Sequence, residues 1–72
     1  MMITNGAEFG AALRKRRKEL GYTQVYLAAF TGFSVSFISD LERGKDTAEL
    51  GKALYLASEL GLDCLLQKRG AV

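Results

Sequence analysis

The residues best equipped for chemistry in this sequence are cationic. Arg14-Lys15-Arg16-Arg17-Lys18 forms one run, and Arg43 and Lys45 form a second group. Residues 1–45 carry seven basic against four acidic side chains, a net +3, while residues 46–72 net −1. A polyanion is therefore expected to meet the N-terminal part of the chain. Bond-making chemistry lacks its parts. With no histidine and a single cysteine, Cys64, neither a zinc site nor a nucleophile–base pair can be assembled. The acids are dispersed among caps and surfaces, and no glycine-rich phosphate loop is present. The expectation is a binding protein, not an enzyme, with no metal and no cofactor.

The elements that must hold these charges can be read from caps and spacing. Asn5 caps a first helix, with Glu8 three positions on completing a capping box. Phe9, Ala12, Leu13 and Leu20 make its apolar stripe, and Gly21 ends it. Helical geometry scatters the basic run: Arg14 and Lys18 share one face, whereas Arg17 falls beside Leu13 and Leu20. Most of the run is thus expected to be solvated surface. Thr23 caps a second helix running to about Thr31, with Leu27, Ala28 and Thr31 turned inward. Ser34 caps a third, with Ile38 and Leu41 inward and Gly44 stopping it. A fourth is expected from Asp46 or Thr47, with Glu49 at the capping-box position, burying Leu50, Ala53, Leu54, Ala57 and Leu60 before Gly61. Residues 63–68 partly alternate and read as a strand. A lone strand needs a partner, and its own copy across a two-fold axis would supply one. Failing that, the segment is a frayed tail or one more helical turn.

Between the second and third helices the chain reads Thr31-Gly32-Phe33-Ser34, a break followed by an immediate restart. Two short helices joined by a tight glycine turn cross steeply and leave one of them projecting. Counted from Gln24, alanine falls at the fifth position and glycine at the ninth. Apolar residues fall at the fourth, tenth, fifteenth and eighteenth: Leu27, Phe33, Ile38 and Leu41. This pattern resembles the helix-turn-helix of the lambda-repressor-like, or Xre, family. Leu13-Arg14-x-x-Arg17-x-x-x-Gly21-x-Thr23-Gln24 is similar to that family's first helix and second-helix start. Ile38-Ser39-x-Leu41-Glu42-x-Gly44-Lys45 is similar to its recognition helix and exit. The last third, ending LASELGLDCLL, resembles HipB-type antitoxins. The resemblance implies an all-α, four-helix, lambda-repressor-like DNA-binding domain with a short C-terminal β-strand pairing across a homodimer. Residues 1–61 would be the DNA-binding domain, with the helix-turn-helix at 23–43. Residues 62–72 would be the dimerising strand and tail, through Leu62, Cys64 and Leu66.

By that resemblance Gln24 clamps the DNA backbone at the start of the second helix, and Arg17 pairs with Glu42, tying the first helix to the third. Helix starts favour phosphate, and Arg43 and Lys45 would take a neighbouring one. Turning the third helix by about 100° per residue puts Ile38 and Leu41 on one side. Ser36, Asp40 and Arg43 lie opposite, with Val35 and Ser39 nearby, Phe37 on a flank and Ser34 at the cap. That outer face would enter the major groove. It departs from the family habit of glutamine, asparagine or arginine: nothing before Arg43 can make a bidentate base contact. Valine or phenylalanine could sense a thymine methyl and Asp40 a cytosine amino group, with DNA shape adding selectivity. Tyr26 and Phe30, four apart on the second helix, either pack against the first helix or chain end or offer a partner an apolar contact. Cys64 is expected to be a small buried apolar residue, near the two-fold axis if the strand pairs.

At 72 residues, 49% apolar and 25% charged, the chain supports one core. No apolar run approaches bilayer-spanning length, the N-terminus lacks the basic-then-apolar order of a secretory signal, and with a lone cysteine the expected compartment is a reducing cytoplasm. The implied function is a sequence-specific repressor, the antitoxin of a type II toxin–antitoxin pair acting on its own operator. Its partners would be inverted-repeat double-stranded DNA, its own copy, and a toxin such as a HipA-like kinase. Two alternatives stand beside it: a free-standing phage or chromosomal Xre regulator, and a protein-interaction module that keeps the fold but binds DNA weakly.

Overall fold

The computed structural model describes residues 2–70, which form four helices: α1 (Gly6–Glu19), α2 (Gln24–Thr31), α3 (Val35–Glu42) and α4 (Leu50–Glu59). Three of the four starts are fixed by the side chains the sequence offers. Asn5 accepts from the Glu8 amide at 2.8 Å, Thr23 from the Tyr26 amide at 3.0 Å, and Ser34 from the Phe37 amide at 3.0 Å. Each satisfies a donor that the first helical turn cannot pair internally. The Asn5–Glu8 box forms by half. Glu8 reaches past Asn5 to Thr4, accepting from its amide at 2.6 Å and its hydroxyl at 2.7 Å. Two donors on one residue outcompete the single Asn5 amide.

The α2–α3 junction turns on Gly32, whose φ of 81° lies in the left-handed region that side chains disfavour. Its amide closes on the Ala28 carbonyl at 2.9 Å, and the Thr31 hydroxyl donates to the Leu27 carbonyl at 2.8 Å. The core beneath is Leu13, Leu27, Ala28, Ile38, Leu41, Ala53, Leu56, Ala57 and Leu60. Phe9, Leu20 and Phe33 pack partly buried around it. At one point α1 approaches the end of α3 so closely that only hydrogen fits. A methyl on Gly10 would fall on the Leu41 carbonyl oxygen and within 2.9 Å of that of Glu42.

The fourth helix departs from expectation. It begins at Leu50 behind Glu49, which makes no side-chain cap bond, and Asp46 and Thr47 lie in a turn before it. Leu50 and Leu54 are exposed and Leu56 is fully buried. With Ala53, Leu56, Ala57 and Leu60 inward, the buried stripe is centred about 70° away from Leu50. The helix therefore presents a second apolar strip to solvent. Its C-terminus is closed by the Gly61 amide on Ser58 at 2.9 Å and the Leu62 amide on Ala57 at 2.9 Å. Arg16 reaches across from α1 to donate from Nε to the Leu60 carbonyl at 2.8 Å. This cation at a helix C-terminus also complements its dipole.

Beyond Leu62, residues 63–68 are exposed and belong to no helix or sheet. The expected strand does not form within one chain, because no other extended segment among the described residues offers it a ladder. Cys64, expected to be buried, is exposed for the same reason. Leu62 instead packs against its own core. No helix among the described residues is long and apolar enough to cross a membrane.

Two predictions arise from this packing. Gly10→Ala should destabilise the fold by about 1–3 kcal/mol, through overpacking against a carbonyl that cannot rotate away. Urea unfolding measures it, and an unchanged midpoint would contradict the contact. The Glu8 carboxyl has its pKa lowered, first by the Thr4 amide and then by the Thr4 hydroxyl. Its contribution is therefore present above the ordinary carboxylate pKa of 4.5 and is lost as pH falls through the lowered value. The Thr4 amide resonance should follow that titration in the parent and lose it in Glu8→Gln.

Candidate nucleic-acid interface

Three elements converge where α1 ends, α2 begins and α3 finishes, and a buried ion pair joins them. Arg17 donates from Nε to Glu42 Oε2 at 2.7 Å and from Nη2 to Oε1 at 3.0 Å. Its Nη1 donates to the Tyr22 carbonyl at 2.8 Å, fixing the chain between α1 and α2. The side chains are 9% and 4% exposed, so the bidentate pair is almost fully desolvated. The Glu42 hydrogen bond holds the Arg17 pKa above its ordinary value; burial opposes this, and the carboxylate's charge adds to it. No buried side-chain polar atom among the described residues lacks a hydrogen-bond partner.

Gln24, expected at the DNA backbone, is drawn into the same network. Its Nε2 donates to Glu42 Oε1 at 3.1 Å. A carboxylate only accepts, so the amide nitrogen is turned inward and Oε1 points the other way. One N–H stays free for an outside acceptor. Gln24 is therefore oriented by Glu42 before any ligand arrives.

Ser34, Val35 and Ser36 are exposed together at the start of α3, next to the amides that the Ser34 cap leaves free. Asp40 is half-buried, and Arg43 and Lys45 are exposed beyond it. These last three are not independent. Arg43 Nη2 lies 2.7 Å from Asp40 Oδ1, and Lys45 Nζ lies 3.5 Å from Oδ2. Phe37 only half belongs to the open face. Its ring meets Phe33 edge-on at 5.1 Å, and Lys52 Nζ sits 5.8 Å from its centroid. The apolar margin of the core claims it, because Phe33 leads directly into α3.

Of the basic run, Arg14, Lys15 and Lys18 are exposed and line an open cleft of about 670 Å³ with Ala11, Glu19 and Glu42. Arg16 and Arg17 are the two taken inward. The Arg16 role was not read from the sequence; a basic residue opposite a helix end is its only trace. Tyr26 and Phe30 lie in a row of aromatic rings along α2. Their rings stack nearly parallel, 5° apart in plane with centroids at 6.3 Å, and Tyr22 extends the row at 4.9 Å from Tyr26. Both residues remain about half exposed.

Residues 13–66 match the Helix-turn-helix family model HTH_3. The chain belongs to this family of Xre-like DNA-binding regulators. An uncharacterized HTH-type transcriptional regulator of Sinorhizobium fredii, y4mF, is 44% identical over 59 residues, covering 82% of this chain and 78% of that one. Among solved structures, a HipB point variant in complex with an O2 20mer superposes with a TM-score of 0.86 at 25% identity, covering 96% of both chains. A HipB–O4 20mer complex and a HipA–HipB–O2–O3 complex each superpose with a TM-score of 0.85 at 25% identity, covering 96% of this chain and 97% of theirs. This helix-turn-helix chain therefore shares its whole four-helix arrangement with HipB, not only the motif at 23–43.

Arg17→Ala should cost about 3–5 kcal/mol by leaving Glu42 buried and unpaired. For a domain this small that is a large part of its total stability. Arg17→Met combined with Glu42→Leu should recover most of the loss in thermal melts while leaving Gln24 unoriented. A single variant that melts with the parent would show the pair to be dispensable.

Proposed function

We propose that this protein is a homodimeric transcriptional repressor that acts in the cytoplasm as the antitoxin of a toxin–antitoxin pair. It would bind an inverted repeat in its own promoter and neutralise a HipA-like kinase or another toxin. The observation that carries the reading is the likeness to HipB along 96% of both chains, continuing past α4 into the tail. HipB itself occurs in complexes with O2 and O4 20mers and, with HipA, in a HipA–HipB–O2–O3 complex.

In this reading α3 enters the major groove with Ser34, Val35 and Ser36 leading. Gln24 and the start of α2 grip one phosphate, and Arg43 and Lys45 grip the next. Phe37 contributes from the flank. The second copy would cover apolar surface that one chain leaves open: Leu50 and Leu54 on α4, then Leu65 and Leu66 in the tail, each more than 40% exposed. Residues 63–68, carrying Cys64 and Leu66, would supply the paired strand, with Leu62 as its anchor in each core. The Tyr22–Tyr26–Phe30 row would be the apolar contact for the toxin. The scarcity of bidentate donors on α3 favours the rival reading of an interaction module with weak DNA binding.

Electrophoretic mobility shift on the protein's own upstream DNA separates the two. A repressor should show log K falling with log salt at about −0.9 per phosphate neutralised, whereas an interaction module should barely bind at any salt. Deleting residues 63–72 retains the α4 cap, and should give monomers with sharply weakened operator binding because the half-sites are no longer linked. A truncated chain that still sediments as a dimer would refute strand pairing.

A further inference from the structure

The acidic residue on the outer face of α3 is an odd choice for a surface that approaches phosphate, and its contacts suggest what it does. Both Asp40 oxygens are engaged, Oδ1 by Arg43 at 2.7 Å and Oδ2 by Lys45 at 3.5 Å. The pairing is built into the turn: the Lys45 amide also bonds to the Asp40 carbonyl at 3.0 Å, and the Arg43 amide bonds to the Ser39 carbonyl at 3.0 Å. The next cation along, Lys52, has its own carboxylate in Glu49 at 3.0 Å and lies over the Phe37 ring, so it does not compete for Asp40. Arg43 and Lys45 keep 72% and 54% of their side-chain surface exposed, against 29% for Asp40. The cations can swing to an outside anion; the carboxylate stays behind.

We infer that Asp40 is a specificity-determining residue that acts by withholding Arg43 and Lys45 from phosphate unless the duplex repays the carboxylate. On an arbitrary sequence, moving the two cations to the backbone leaves Asp40 unpaired beside phosphates and base acceptors. On a matched sequence a base amino group, such as cytosine N4, donates to Asp40 in their place. The carboxylate thus lowers affinity for all duplexes and gives some of it back at one kind of site. It offers selectivity on a face whose other groups ahead of Arg43 are serine hydroxyls, Val35 and the flanking Phe37. This inference rests on the reading of the chain as a DNA-binding protein.

The test uses the full chain, a short duplex enriched by the parent protein from a random pool, and a scrambled duplex of the same composition. Asp40→Ala and Asp40→Asn both remove the charge, so the effects they share belong to the charge and not to a new base contact. Binding to the scrambled duplex should tighten roughly fivefold to tenfold in both, as expected for removing one like charge near the backbone, and binding to the enriched duplex should tighten less. The salt slope on scrambled DNA should steepen by about 0.9 per released cation. In an Arg43→Gln/Lys45→Gln background, removing Asp40 should leave that slope unchanged. Thermal melts of both variants close to the parent show that the fold is intact. The inference is overturned if the parent prefers its enriched duplex and both variants keep the same preference and slope, or if the slope still steepens without the two cations. A parent chain that binds no duplex at low salt defeats the DNA-binding reading itself, and this inference with it.

Discussion

The Arg17–Glu42 pair is the constraint around which the other parts of this fold are arranged. Its two charges are removed from water at a cost of several kcal/mol each, and their mutual attraction offsets that only with good geometry and no leftover polar atoms. Both conditions are met here. The guanidinium is bidentate on the carboxylate, its remaining nitrogen is taken by the Tyr22 carbonyl, and Glu42 accepts Gln24 as well. A pair of apolar residues would fill the same space without demanding the same directions. What the ion pair adds is registry, because it can be satisfied only when the end of α1, the entrance to α2 and the end of α3 are all in place. That is a demanding arrangement for a small core, and it places Gln24 as a by-product.

Charge on the outer face of α3 follows a related logic. Asp40 with Arg43 and Lys45 repeats, in water, what Glu42 and Arg17 do in the core. Screening makes the outer set weak and exchangeable, while desolvation makes the inner set rigid. One α-helix thus carries a fixed carboxylate on one side and a negotiable one on the other, two residues apart.

The elements that could be read in the sequence were those written in short-range chemistry. Asn5, Thr23 and Ser34 sit within three residues of the amides they cap, and Gly32 breaks the helix it terminates, so α1, α2 and α3 were placed nearly as found. The fourth helix was misread for the converse reason. Its apolar residues outnumber what a single core can cover: the sequence reading turns Leu50 and Leu54 inward and omits Leu56, and the packing reverses that choice. The Arg17–Glu42 contact is 25 residues long in sequence and was legible only through family resemblance. Arg16 on Leu60, at 44 residues, was not legible at all. Gly10 looked like any helical glycine until its carbonyl neighbours were in view.

By itself, then, the sequence determined where α1, α2 and α3 start and stop, that a glycine-broken pair sits at 23–43, and that positive charge gathers in the N-terminal part. These are properties of neighbours along the chain, set by sterics and by one- to four-residue hydrogen bonds. Tertiary structure alone decided that Arg16 turns inward beside Arg17, that Gln24 is held by Glu42, that Phe37 leans on Phe33, and that Cys64, Leu65 and Leu66 stand uncovered. Such choices depend on which distant groups arrive beside a side chain, and on how much water each of them loses in getting there.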